Sequence, residues 1–267
     1  MSNVTSILDI LKHLPKTNCR QCGVKTCMAF ADAVIKGLRR IEECPHVSAE
    51  TIALVGGNIQ ERASIEREQE KAVAYLKGEV ARADLNAAAE RLDTSVVGGR
   101  LLIRSLGKEF YIGADGELSS QCHTVMPWLA IPMLSYVLTG GTKKPTGKWV
   151  AFEELSGGRK WARLFGQRCE KDFKELADGH PGLFGDVTAI FSGTAGGGDI
   201  KADVSLVLSP LPGLPLLICY WMKEDDFESK LKLYFDATAE DNLNIEYIYT
   251  LCVGLVMMFG KIALRHK

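Results

Sequence analysis

The stretch LPKTNCRQCGVKTCMAFADAVIKG, Leu14 to Gly37, places three cysteines within nine residues, and Cys44 follows just before Pro45. The spacing is Cys19-x2-Cys22-x4-Cys27-x16-Cys44-Pro45. Thiolates are soft, electron-rich ligands, and four of them suit either Zn²⁺ or an iron–sulfur cluster. Structural zinc sites usually pair two C-x2-C knuckles. Here the second half is not a pair. Three thiols come from one tight loop and the fourth from across a helix. Four irons at separate cube corners accept such asymmetry more readily than one tetrahedral ion does. The spacing favours a [4Fe-4S] cluster, with a zinc knuckle or free thiols as the alternatives.

The flanking sequence builds a frame for that loop. TSILDILKHL carries Ile7, Leu8, Ile10 and Leu11 at helical spacing, with Leu14 continuing the face. Thr5 or Ser6 can cap it, and Pro15 ends it. Thr26 can cap a second helix, CMAFADAVIKGLRR, which stacks Phe30, Val34 and Leu38 on one face. Gly23 permits a close backbone turn around a bulky anion. The start of the second helix is expected to aim amide donors and a positive dipole end at the thiols. Lys16, Arg20 and Lys25 add favourable charge. A unit of about 40 residues rarely holds together on apolar burial alone, so a metal centre fits as a staple.

Composition narrows the classes. The chain has 267 residues, 46% hydrophobic, with a formal net charge of −1. A sizeable core is available, and no global basic field points to nucleic acid. MSNVTSILDILKHLPK lacks a basic leader region, and Asp9 and Lys12 interrupt its apolar run, so it does not read as a secretory signal. Eight cysteines without such a signal suggest a reducing, cytoplasmic setting in which clustered thiols read as metal ligands. Cys122, Cys169, Cys219 and Cys252 are scattered; Cys219 and Cys252 sit in apolar surroundings, and the default reading of all four is small buried hydrophobes. The longest uncharged run, Tyr247 to Gly260, has 14 residues. A bilayer-spanning helix takes about 20, so a buried core helix is expected and no membrane span.

The cysteine segment resembles the four-cysteine [4Fe-4S] domain of the large subunit of corrinoid iron–sulfur proteins, a module also found in the B subunit of Rnf-type electron-transport complexes. The resemblance covers roughly residues 10–48. It rests on the Leu-Pro lead-in, Asn18, Cys22-Gly23, Thr26-Cys27, the Ala-Phe-Ala of the helix, Gly37 and Cys44-Pro45. It implies that Cys19, Cys22, Cys27 and Cys44 are the cluster ligands. Arg20 departs from the pattern, which usually has glycine there.

The remainder resembles a domain family of unknown function that follows such modules in anaerobic microbes. The landmarks are WVAFEELSGG, the aspartate of KADVSLVLSPLPGLPLL, YWMKEDDF and YFDATAEDNL. Residues 57–93 are charge- and alanine-rich and read as solvated helix. GRLLIRSLGKEFYIGADGELSS reads as two short strands with a GADG turn, and CHTVMPWLAIPMLSYVLTGG as a buried helix broken or kinked at Pro127 or Pro132. WARLFGQRCEKDFKELADGH reads as an amphipathic helix. KADVSLVLSPLPGLPLLICYWM reads as two strands around a Pro/Gly turn, and KLKLYFD as a third. Strands and helices without strict alternation predict an α+β fold: a small helical [4Fe-4S] module joined to a larger mixed domain. The expected divisions are 1–48 for the cluster, 49–80 for a helical connector, and 81–267 for the α+β domain.

The large domain offers weaker candidates. Asp178, His180 and Gly182 in DGHPG come close to the Asp-x-His-x-x-Gly pattern of cobalt-ligating corrinoid proteins, one residue short in the second spacing. His180 and His123 are therefore candidate axial ligands for cobalt, and a turn before a helix is the simpler reading of DGHPG. SGTAGGGDIKADV is glycine-rich without a dinucleotide fingerprint and reads as a flexible loop. No catalytic motif stands out.

The expected function is transfer of single low-potential electrons from a ferredoxin-like donor to a corrinoid (cobalamin), bound by the large domain or by a partner such as a corrinoid protein or methyltransferase. The alternatives are a redox sensor or assembly factor with a structural cluster, or an enzyme in the large domain fed by the cluster.

Overall fold

The computed structural model of the protein describes residues 6–35, 38–121, 125–225 and 227–264, the side chains of 56–66 excepted. Gly37, Cys122 and His123 of the sequence reading lie outside the described residues. The chain divides into two compact units, Met1–Ala72 and Val73–Lys267.

The first unit is helical. Helix α1 spans Ile7–Lys12. Ser6 starts it with a capping box: its hydroxyl accepts the Asp9 amide, and the Asp9 carboxylate accepts the Ser6 amide. Helix α2 spans Cys27–Ile35, and a 3₁₀ turn, Ile41–Glu43, leads into Cys44. A long helix, α3, runs over Ala49–Val80. The core of the unit gathers Ile10 and Leu14 from the first helix end, Phe30, Ala31 and Val34 from α2, then Ile41 and Val55. Leu38, expected on the same face as Phe30 and Val34, is instead 73% exposed and lies in a bend rather than in helix.

The second unit is mixed α+β, as the sequence predicts. Helix α4, Leu85–Arg91, is capped by Asp84. An antiparallel sheet follows in the order β1 (Val96–Val97), β2 (Arg100–Ser105), β3 (Lys108–Ile112) and β4 (Leu118–Ser119). The tight turn of its central hairpin is Leu106-Gly107, with φ of 51° and 72°, as a two-residue hairpin loop requires. The expected GADG turn instead joins β3 to β4. Helix α5, Pro127–Thr139, is one continuous helix. Pro127 occupies its first turn, where no amide partner is lost, and Pro132 is accommodated inside it, so neither proline breaks it.

The larger sheet has the antiparallel order β5 (Trp149–Ala151), β9 (Lys230–Asp236), β8 (Leu214–Trp221), β7 (Val204–Leu211) and β6 (Thr194–Ala195). The central strand β8 reads LPLLICYW and is buried along most of its length, as a strand covered on both faces should be. Thr194–Ala195 shows that the glycine-rich segment starts as an edge strand before it becomes a loop. Between β5 and β6 the chain forms α6 (Gly158–Phe165), a π-helical segment (Gly166–Lys171), α7 (Asp172–Gly179) and α8 (Leu183–Phe191). The amphipathic helix of the sequence reading is thus interrupted by a π segment. That widened turn swings Glu170 onto β9, where it bonds Lys232 Nζ at 2.9 Å and the Leu233 amide at 3.3 Å.

A short helix α9 (Ala239–Asn242) precedes α10 (Ile245–Ala263). By length and composition α10 is apolar enough to cross a membrane. In this fold it packs against α5, α7 and α8 and buries Ile248, Leu251, Leu255 and Phe259. Phe259 meets Phe173 of α7 at 5.1 Å and Phe191 of α8 at 5.9 Å between ring centroids. On the other side of the π segment, Phe152 and Phe165 stack at 3.9 Å, with Phe235 of β9 tilted against both.

Candidate metal centre

The loop between α1 and α2 holds most of the centre. Lys16, Asn18, Arg20 and Gly23 all have positive φ, at 59°, 52°, 63° and 76°. Four left-handed residues in so short a stretch curl the backbone tightly. L-residues pay about 1–2 kcal/mol for that conformation and glycine does not. This explains why the resembling family has glycine where this chain has Arg20.

The loop is pinned to the helix that follows. Asn18 Oδ1 accepts the Cys27 amide at 2.8 Å, and Thr26 Oγ1 accepts the Ala29 amide at 3.1 Å. Thr26 caps as expected. The Cys27 amide, expected to aim at the thiols, is taken by Asn18.

The four thiols form no disulfide and grade from wet to dry. Cys19 is exposed, Cys22 half-buried, and Cys27 and Cys44 are buried. Cys27 and Cys44 belong to the same apolar core as Phe30 and Ile41, and Cys22 packs against it. Between Ile10 and Ala31 the sequence carries no Asp or Glu, while Lys16, Arg20 and Lys25 are exposed around the loop.

Among the described residues, no three His, Cys, Asp or Glu side chains stand as a group that could hold one metal ion. A zinc ion about 2.3 Å from each sulfur draws its thiolates to within roughly 4 Å of each other. A cube of four irons keeps them farther apart, one at each corner. Cys27 and Cys44 sit in the apolar core, Cys22 packs against it and Cys19 is exposed, and four thiolate donors of this kind suit an iron–sulfur cluster.

The second unit places the remaining candidates. His180 is half-buried and closes α7 with its amide on the Ala177 carbonyl. The Asp178 carboxylate accepts from Lys174 Nζ at 2.7 Å, Tyr220 Oη at 2.8 Å and Ser229 Oγ at 2.7 Å. Burial raises its pKa, but these three donors outweigh burial and hold it below the usual carboxylate range. Asp178 is therefore engaged with β8 and the loop before β9. Cys169 and Cys252 are buried, and burial pushes both thiols up; their proximity raises Cys169 further. Burial also raises Cys219. These are neutral core thiols.

Sequence reasoning missed a polar fastening beside β9. Asp236 is fully buried and accepts the amides of Thr146, Gly147 and Thr238 at 2.9, 2.6 and 3.0 Å, with the Thr238 hydroxyl at 2.8 Å. Asn242 Oδ1 accepts the Gly141 amide at 2.9 Å, and its Nδ2 donates to the carbonyls of Lys143 and Gly213 at 2.9 and 3.1 Å. Together they hold the 140–148 loop against α9. The available signal was YFDATAEDNL, where Asp236 and Asn242 punctuate small and apolar residues.

A family model described as Domain of unknown function (DUF3786) matches residues 84–258. The chain belongs to the DUF3786 family. In this DUF3786 protein a second model, described as "Putative Fe-S cluster", matches residues 14–46, and the N-terminal segment is an iron–sulfur domain. Over 45 residues, 17% of this chain and 9% of the relative, it is 47% identical to the acetyl-CoA decarbonylase/synthase complex subunit gamma of Methanocaldococcus jannaschii. Over 41 residues, 15% of this chain and 9% of the relative, it is 49% identical to the corrinoid/iron-sulfur protein large subunit of Moorella thermoacetica. The chain thus spans about a tenth of the length of these curated relatives. No solved structure matches the chain.

Proposed function

We propose that Cys19, Cys22, Cys27 and Cys44 ligate a [4Fe-4S] cluster, and that the protein transfers single electrons through it to a corrinoid held by a partner protein. The observation that carries this reading is the match of the iron–sulfur model to the segment that contains all four thiols. Such a cluster supplies one-electron chemistry at low potential. The chain's own residues set its surroundings. Cys27 and Cys44 hold the dry side, where Phe30 and Ile41 exclude water. Cys19 holds the exposed side, the short path for an electron to or from a partner. Lys16, Arg20 and Lys25 offset the negative charge of four thiolates.

Placing the corrinoid on a partner follows from the relatives and from Asp178. The matched relatives include a corrinoid/iron-sulfur protein subunit and subunits of the acetyl-CoA decarbonylase/synthase complex. In this chain the Asp178 carboxylate is spent on Lys174, Tyr220 and Ser229, which weighs against its orienting His180 as a cobalt ligand. The donor is of ferredoxin type, and the setting cytoplasmic.

The test is anaerobic purification followed by iron analysis and a redox assay. About four irons per chain and broad absorbance near 400 nm are expected. Cys27→Ala should lose the cluster; retention of all four irons refutes the ligand assignment. With the cluster intact, the reduced protein should reduce the cobalt of an added corrinoid protein. Failure of that step alone leaves the cluster standing and removes the corrinoid.

A further inference from the structure

The second unit contains an apolar cavity of about 320 Å³ that neither the iron–sulfur chemistry nor the family match explains. It lies within the range of about 300–1,000 Å³ usual for small-ligand sites. Phe110 of β3, Trp128 and Leu129 of α5, and Phe191 of α8 supply aromatic and aliphatic surface. Met126, Met257 and Met258 add flexible walls. Methionine at a binding surface adapts to ligands of varied shape.

One wall is shaped by Gly254 of α10. A Cβ there would overlap the Trp128 indole, so the ring lies directly on the helix backbone. Met126 and Met257 are 43% and 61% exposed although both line the cavity, so the cavity opens to solvent along a methionine edge.

Charge decides the class of ligand. Lys108, from β3, and Lys261, from the last turn of α10, both line the cavity. They come from different elements of the unit, and no carboxylate lines the cavity with them. Among the described residues neither Lys108 nor Lys261 has an acidic partner within 4 Å. Two ammonium groups at an apolar cavity match a ligand with an apolar body and one anionic end. A neutral apolar ligand would leave both lysines unused, and a small inorganic anion would leave the apolar walls unused.

We propose that this cavity binds a free amphipathic carboxylate, such as a medium-chain fatty acid, with its chain among Phe110, Trp128 and the methionines and its carboxylate between Lys108 and Lys261. The site stands apart from the electron-transfer reading and does not depend on it.

The probe is decanoate, titrated into the full-length protein and followed by calorimetry and tryptophan fluorescence, with decanol as the uncharged control. Saturable binding of one decanoate per chain is expected, at least tenfold tighter than decanol. The double variant Lys108→Glu/Lys261→Glu should lose at least tenfold in decanoate affinity and leave decanol unchanged. Neither lysine is buried, so the variant should keep the wild-type melting temperature; if it does not fold, Lys108→Gln/Lys261→Gln gives the same comparison. Vesicles of an anionic phospholipid should not compete with decanoate. The proposal is overturned if decanoate fails to saturate, if decanol binds equally well, if charge removal changes nothing, or if the vesicles displace the acid.

Discussion

The Asn18 side chain accepts the Cys27 amide at 2.8 Å, tying the left-handed loop that carries Cys19 and Cys22 to the helix that begins with Cys27. One hydrogen bond thereby ties two groups of thiols together and, beside the Thr26 cap, satisfies the first amide of α2. Asn18→Ala should cost about 1 kcal/mol, as loss of a helix cap does. The readout is the rate of bleaching near 400 nm in air, which should rise several-fold. Asn18→Asp keeps the acceptor and should bleach much more slowly than Asn18→Ala. Equal rates for the two variants would mean that the cap plays no part.

Asp236 accepts from five donors, the amides of Thr146, Gly147 and Thr238 and the hydroxyls of Thr146 and Thr238. Burial raises its pKa, but the donated hydrogen bonds win and hold it below the ordinary value. A depressed carboxyl contributes stability that is full above the unfolded pKa of about 3.9 and is lost as pH falls through the folded value. Asp236→Asn should therefore cost about 2–4 kcal/mol at neutral pH, because a charged acceptor is replaced and donors are left short. Urea unfolding across pH should show a smaller acid-side decline for the variant. A parallel decline in both proteins would contradict this account.

Gly254 lies under Trp128, with no room for a methyl group. Gly254→Ala should lower stability by about 1–3 kcal/mol through overpacking, despite its better helix propensity. Adding Trp128→Leu should recover part of that loss, since the clash is with the indole. Additive losses in the double variant, measured by chemical denaturation, would place the strain elsewhere.

The thiols should divide by reactivity. Cys169, Cys219 and Cys252 are buried and their pKa values are raised by that burial. An alkylating reagent acts on the thiolate, so these three should stay unmodified in the folded protein at pH 8. In iron-free protein, exposed Cys19 should react first, and in cluster-loaded protein it should be protected. Mass spectrometry of peptides after a short pulse gives the order. Rapid labelling of Cys169 in the native state would show that its core opens.

The helical start was legible because it is local. Ser6, Thr26 and Pro15 punctuate helices through contacts a few residues away, and the cysteine spacing carries its own chemistry. The three long strands of the larger sheet were legible for the same reason: LPLLICYW is an apolar run and KLKLYFD begins with alternating lysine and leucine. The details of the small sheet were less so. The Leu106-Gly107 turn carries a left-handed leucine, which no turn preference would select, whereas GADG has the composition of a turn and forms the next connection.

The amino-acid sequence by itself determined that four cysteines lie within one short helical segment, that an apolar α+β unit follows, and which residues cap the helices. These properties depend on neighbours along the chain. Tertiary structure alone decided that the Cys27 amide serves Asn18 and that Asp178 serves Tyr220 and Ser229. It also decided that Asp236 closes a loop some 90 residues away, and that Lys108 and Lys261 line one apolar cavity. Each depends on atoms distant in sequence that meet only when sheets and helices pack, and hydrogen bonding and charge pairing act over a few ångströms whatever the separation along the chain.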